Sequence, residues 1–194
     1  MWHEYKGSIL FLVRFALCYI IPSVLYSFYL AHYNQREGFH GDPFTVEVAA
    51  ETAGVLGWFG FDVEKEYPQD EKYVIIFLDG SQTISVYEGC NALNIMFLFV
   101  AFVVAYGAAG WKRKLGFALT GIVAIHVFNL ARLTALALLT LTNMKAFHFY
   151  HKYGFTAVIY AFVILLWYLW VSKFDKKKRR EDEGDLKLQI PNIE

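Results

Sequence analysis

Four long apolar stretches constrain this chain more than any other feature of its sequence. They run approximately from Ile9 to Ala31, Asn91 to Gly110, Leu115 to Leu141 and Tyr153 to Val171. A hydrocarbon core of about 30 Å needs roughly 20 mostly apolar residues per crossing helix, and each stretch meets that length. The composition agrees, because 57% of the 194 residues are hydrophobic and only 19% are charged, too few charges for a typical soluble domain or a disordered chain. The reading is an all-α integral membrane protein with four transmembrane helices. The first stretch is too long for the apolar region of a signal peptide and reads as a retained anchor.

Basic residues set the expected orientation. With both termini inside, Lys6, Lys112, Arg113, Lys114 and seven tail residues give 11 cytoplasmic cations, against five outside. Four parts follow: 1–31, the N-terminus and first span; 32–89, an external loop; 90–171, a core of three helices; and 172–194, a basic and polar cytoplasmic tail. The external loop holds 11 acidic and three basic residues. Within it, Asp42-Pro43 opens a mixed apolar and acidic run that suits an amphipathic helix at the membrane interface, with Trp58 and Phe59 at headgroup depth. Tyr73 to Leu78, the Asp79-Gly80 dipeptide and Thr83 to Tyr87 read as a β-hairpin. That hairpin leads directly into Glu88-Gly89-Cys90.

No Asp or Glu occurs between Gly89 and Phe174, which argues against proton or cation transport through intramembrane carboxylates. The polar residues of this half are Cys90, Asn91, Asn94, His126, Asn129, Arg132, His148 and His151. An arginine within a span is costly unless it meets water or a partner, so Arg132 points to a pocket open to the outer face. The structural alternative is carbonyl or lipid-phosphate binding. Asn129 lies one helical step before Arg132, where it either orients the guanidinium through its side-chain oxygen or makes a plain interhelical hydrogen bond. His126, one step deeper, reads as an interhelical contact. Cys90 sits at the mouth of the second span after a flexible Gly89, where a helix N-terminus favours a thiolate. Cys18, in mid-span, reads as a passive hydrophobe. His148 and His151 share the outer face with Cys90. No metal set is expected, because three or four ligands do not gather near the spans, and no haem-attachment motif or other cofactor signal is present.

A thiolate, an imidazole and a guanidinium at one membrane face make a cysteine acyl-transfer site. Cys90 before a span, Asn129-Leu-Ala-Arg132 within the next and His151 at the head of the last resemble the signature of the exosortase/archaeosortase family, in particular its short single-domain exosortase branch. The resemblance covers roughly Gly89 to Val171. It implies a cysteine transpeptidase or protease of the bacterial cytoplasmic membrane, with its active site facing outward and Cys90, Arg132 and His151 as the catalytic residues. Asn129 then fills a supporting position, and His148 is the alternative to His151. The implied partners are membrane-anchored protein substrates with a C-terminal sorting tail, the lipid bilayer and further membrane proteins, with no nucleic acid. Many relatives carry Ser-Gly after the cysteine, where this chain has Asn91-Ala92, and many have about twice as many spans. The competing reading is a non-catalytic membrane assembly factor for envelope or secretion machinery.

Overall fold

A computed structural model describes residues 2–33, 41–69, 71–106, 110–142 and 157–173. The chain is mostly helical with one small sheet. Helix α1 spans Trp2–Tyr33, α2 Pro43–Trp58, α3 Leu93–Ala105 and α4 Trp111–Thr142. A further apolar helix, α5, covers Ala157–Lys173.

The helices that carry the apolar stretches alternate in direction. Phe11 and Phe15 of α1 meet Phe102 of α3 edge-on, while Tyr26, farther along α1, meets Phe97, so the two run antiparallel. Lys114 near the start of α4 donates from Nζ to the Val104 carbonyl near the end of α3 at 2.7 Å. Helix α5 returns along α4, stacking Phe162 on Phe128 at 4.4 Å and Trp170 on Phe117 at 4.5 Å. Gly121 is the close-packing point of this bundle, since a Cβ there would lie 2.2 Å from the fully buried ring of Phe99. The start of α1, the Lys112–Lys114 cluster and the end of α5 therefore share one end of the bundle. Cys90 lies toward the other.

Among the described residues, two helices are long and apolar enough to cross a membrane, Tyr5–Tyr33 and Trp111–Thr142. The stretch expected to span Asn91 to Gly110 forms a helix of only 13 residues, about 20 Å long. It is trimmed at the front by Ala92, which takes a left-handed backbone (φ 60°), and it ends where Tyr106 turns extended. The expected start of the last span, Tyr153, lies outside the described residues.

Helix α2 forms where Asp42-Pro43 predicts it. The Asp42 carboxylate caps it by accepting from the backbone N–H of Phe44 at 3.0 Å and of Thr45 at 3.1 Å. Its placement differs from the expected interfacial one. Thr45, Val48, Ala49, Thr52, Ala53 and Leu56 form a buried stripe, small enough to let α2 lie close against α4 and the sheet. The apolar face is thus spent inside the protein. Glu51 turns inward as well, because His126 of α4 answers it, Nε2 to Oε2, at 2.7 Å. Trp58 and Phe59, at the end of α2, remain exposed.

The expected hairpin is present as β2 (Tyr73–Leu78) and β3 (Ser81–Tyr87), joined through Asp79 (φ 50°) and Gly80 (φ 76°). Two consecutive positive φ values make the tight mirror-image turn whose twist suits a hairpin. A third strand, β1 (Val63–Glu66), adds to it antiparallel, with Val63 opposite Leu78 and Glu66 opposite Ile75. Sequence reading missed β1, whose Val-Glu-Lys-Glu has no apolar alternation and joins the sheet through its backbone. Val74, Ile76 and Leu78 of β2, with Ile84 and Val86 of β3, fill one face. They pack on Val48 and Leu56 of α2 and on Leu133, Leu136 and Ala137 of α4. This core anchors the strand that delivers Cys90 to the helix that carries Arg132.

Candidate active site

Strand β3 ends at Tyr87, and a single 3-10 turn, Glu88–Cys90, follows. Cys90 is only 5% exposed. It precedes α3 rather than opening it, which corrects the expectation of a thiol at the helix N-terminus. The first α3 amide is already used, since Leu93 donates to Asn91 Oδ1 at 3.0 Å.

Two sides hold this turn. From α4, Asn129 Nδ2 donates to the Cys90 carbonyl at 2.9 Å, and Arg132 Nη2 reaches the same oxygen at 3.4 Å. The i, i+3 spacing read from the sequence does put both residues on one face, and that face meets the cysteine. Asn129 does not orient the guanidinium through its oxygen, however. Its amide nitrogen is spent on the Cys90 backbone, and its buried Oδ1 has no hydrogen-bond partner among the described residues. Arg132 Nε is likewise buried without a partner among them, leaving a guanidinium donor uncommitted beside the turn.

From the opposite side, Asn91 is held by a buried polar ring. Its Nδ2 donates to Thr45 Oγ1 at 3.1 Å and to the Tyr26 hydroxyl at 3.3 Å. Both hydroxyls pass the polarity on to Asp42, Tyr26 to Oδ1 at 3.3 Å and Thr45 to Oδ2. Asp42 is fully buried, and it accepts from two side chains and two backbone amides, so its lone pairs are well matched. The ring ties α1, α2 and the residue after the cysteine into one unit. Sequence reading took Asp42 only as a helix start and gave Tyr26 and Thr45 no role. Nothing in their local sequence announces a contact 46 or 65 positions away.

Tyr87 is a second omission. Its ring folds back over the cysteine turn, where a Cβ added at Gly89 would lie 2.8 Å from Tyr87 Cε2. Negative charge on Cys90 and then partial burial raise the Tyr87 pKa above the ordinary phenol value, against an opposing pull from Arg132. The Tyr87 ring and the Arg132 guanidinium thus both lie against the cysteine turn.

His148 and His151 lie outside the described residues. His126 is engaged with Glu51 and packs near the Phe44 ring, 6.4 Å between centroids, in keeping with an interhelical role. A groove of about 600 Å³ runs between α1, α2, α3 and α4, lined by Cys18, Pro22, Phe44, Glu51, Val123 and His126 among others, and neither Cys90 nor Arg132 lines it. Among the described residues, no three His, Cys, Asp or Glu side chains gather as metal ligands.

The family model described as Transmembrane exosortase (Exosortase_EpsH) matches residues 9–168. The chain belongs to the transmembrane exosortase family. No curated protein and no solved structure gives a significant match. For an exosortase, the departure from Ser-Gly after the cysteine acquires a physical meaning. Ala92 sits in the left-handed region, where glycine is free of strain. Asn91 uses its side-chain oxygen to cap the Leu93 amide, a bond that a serine hydroxyl oxygen also makes at a helix start.

Proposed function

We propose that this chain is a membrane-embedded cysteine transpeptidase or protease. It acts at the outer face of the bacterial cytoplasmic membrane on proteins bearing a C-terminal sorting signal. The observation that carries this reading is the convergence of Asn129 and Arg132 on Cys90 across 39 and 42 residues of chain, in a protein of the exosortase family. The antiparallel run of α1, α3, α4 and α5, with the basic residues gathered at one end, supports four spans with both termini inside.

In this reading the Cys90 thiolate attacks the scissile carbonyl, and the carbonyl π pair moves to oxygen. The charge of Arg132 and its uncommitted Nε–H stabilise that oxyanion. His151, with His148 as the alternative, protonates the leaving amine, and a thioester remains on Cys90. An acceptor amine or water then releases the acyl group. The carbonyl clamp from Asn129 fixes the backbone of the nucleophile, so little reorganisation is left for the reaction itself.

The test is co-expression with a tail-bearing substrate, followed by mass spectrometry of the membrane fraction. Wild type should give a processed substrate and a Cys90-linked acyl-enzyme that hydroxylamine removes. Cys90→Ala and Cys90→Ser should abolish both while membrane insertion is unchanged. Retention of biological function by Cys90→Ser would overturn catalysis and favour an assembly factor.

A further inference from the structure

The groove between α1, α2, α3 and α4 takes no part in the chemistry assigned to Cys90, and its two ends differ in character. Glu47 and Glu51 of α2 line it toward the cysteine end of the bundle, together with Leu93 at the start of α3. Val100 and Cys18 line it roughly 10 Å farther toward the basic end, measured along α3 from Leu93 and along α1 from Tyr26, and the wall there is apolar. Val123 on the α4 side is 61% exposed, so the groove opens sideways, onto the surface that a bilayer would cover.

Carboxylates on such a surface are costly unless they meet water or a cation. His126 Nε2 answers one oxygen of Glu51 at 2.7 Å. Among the described residues, no protein donor reaches the other Glu51 oxygen or either oxygen of Glu47, so two acidic side chains face the groove against a single imidazole. The volume limits what can lie there. A helix is about 10–12 Å across with its side chains and needs about 800 Å³ or more over a length of about 10 Å, whereas the groove offers about 600 Å³. An extended aliphatic chain fits where a partner's helix does not.

We propose that this groove is a lipid site selective for a primary-ammonium headgroup: one acyl chain lies along the apolar wall past Cys18, and the ammonium donates to the open oxygens of Glu47 and Glu51. A primary ammonium carries a positive charge and three N–H donors, which suits carboxylates that lack donors. A quaternary ammonium has the charge without the donors, and an anionic head has neither. Nothing in this site depends on Cys90 acting as a nucleophile.

Cys18 lines the groove as a free cysteine and reports its occupancy. The experiment is alkylation of Cys18 by N-ethylmaleimide in the full chain carrying Cys90→Ala, reconstituted in vesicles of phosphatidylglycerol mixed equally with phosphatidylethanolamine or with phosphatidylcholine. The two mixtures carry the same net charge, so attraction of ions to the surface does not separate them. Cys18 should react about fivefold more slowly with phosphatidylethanolamine present, the worth of a charge-assisted hydrogen bond at a partly exposed carboxylate. Glu47→Gln, at an exposed position with no ion pair among the described residues, should bring the two rates together. Glu51→Gln, which also gives up the His126 pair, should do the same. Equal wild-type rates in the two mixtures would overturn the site. If both are fast, no lipid occupies the groove; if both are slow, an acyl chain, a second copy or the chain itself fills it without reading the headgroup. A difference that survives Glu47→Gln would belong to bilayer packing and would equally overturn the role of the carboxylates.

Discussion

At Ala92 a single backbone conformation carries a measurable cost. A left-handed alanine is strained by roughly 1–2 kcal/mol, part of which glycine would return in unfolded-chain entropy. Ala92→Gly should therefore stabilise the protein by about 0.5–1 kcal/mol, read as a rise of a few degrees in the detergent melting temperature, with the Asn91 cap and the Cys90 turn kept. A fall in melting temperature would show that the strain lies elsewhere. Asn129 illustrates how far a sequence reading reaches at this scale. Spacing placed it beside Arg132, and both do face the cysteine. The bond it makes, to a carbonyl 39 residues upstream, depends on where β3 ends, and no local pattern encodes that. Tyr87 was overlooked for the opposite reason: it stands three positions from the thiol, but a strand-ending tyrosine is commonplace until the ring is seen to fold back.

Among the elements, α2 departs furthest from its sequence reading. Its start, its cap and its apolar stripe were all legible, whereas the surface that covers the stripe was not. The same residues would face lipid or protein with equal ease, and the stripe becomes interior only because the sheet and α4 supply a complementary apolar face. The α3–α4 contact turns on size. With its Cβ 2.2 Å from the Phe99 ring, an alanine at position 121 forces the helices apart or the ring out of its site. Gly121→Ala should cost about 2 kcal/mol of stability, and most of that loss should disappear in a Phe99→Leu background, as a double-mutant cycle of thermal unfolding would record. Equal losses in both backgrounds would mean that the close approach does not limit packing.

For the whole molecule, the opposition of the basic end and the cysteine end gives a direct test of orientation. In a Cys18→Ala, Cys90→Ala chain, Trp58→Cys at the exposed end of α2 should react with a membrane-impermeant thiol reagent in spheroplasts. Lys112→Cys should react only after permeabilisation. The reverse pattern, or labelling of both, would overturn the outward-facing site. The sequence by itself determined the apolar stretches, the segregation of basic residues, the hairpin turn and the order of cysteine, Asn-x-x-Arg and histidine. All of these are composition or local periodicity, which a chain carries whatever its partners. Only the tertiary structure decided that the apolar stripe of α2 is enclosed, that Asp42, Tyr26 and Thr45 grip Asn91, and that the Tyr87 ring folds over Gly89. Those contacts join residues far apart in the chain or depend on the fold of one turn. Their energy exists only once water and lipid have been excluded between the surfaces that make them.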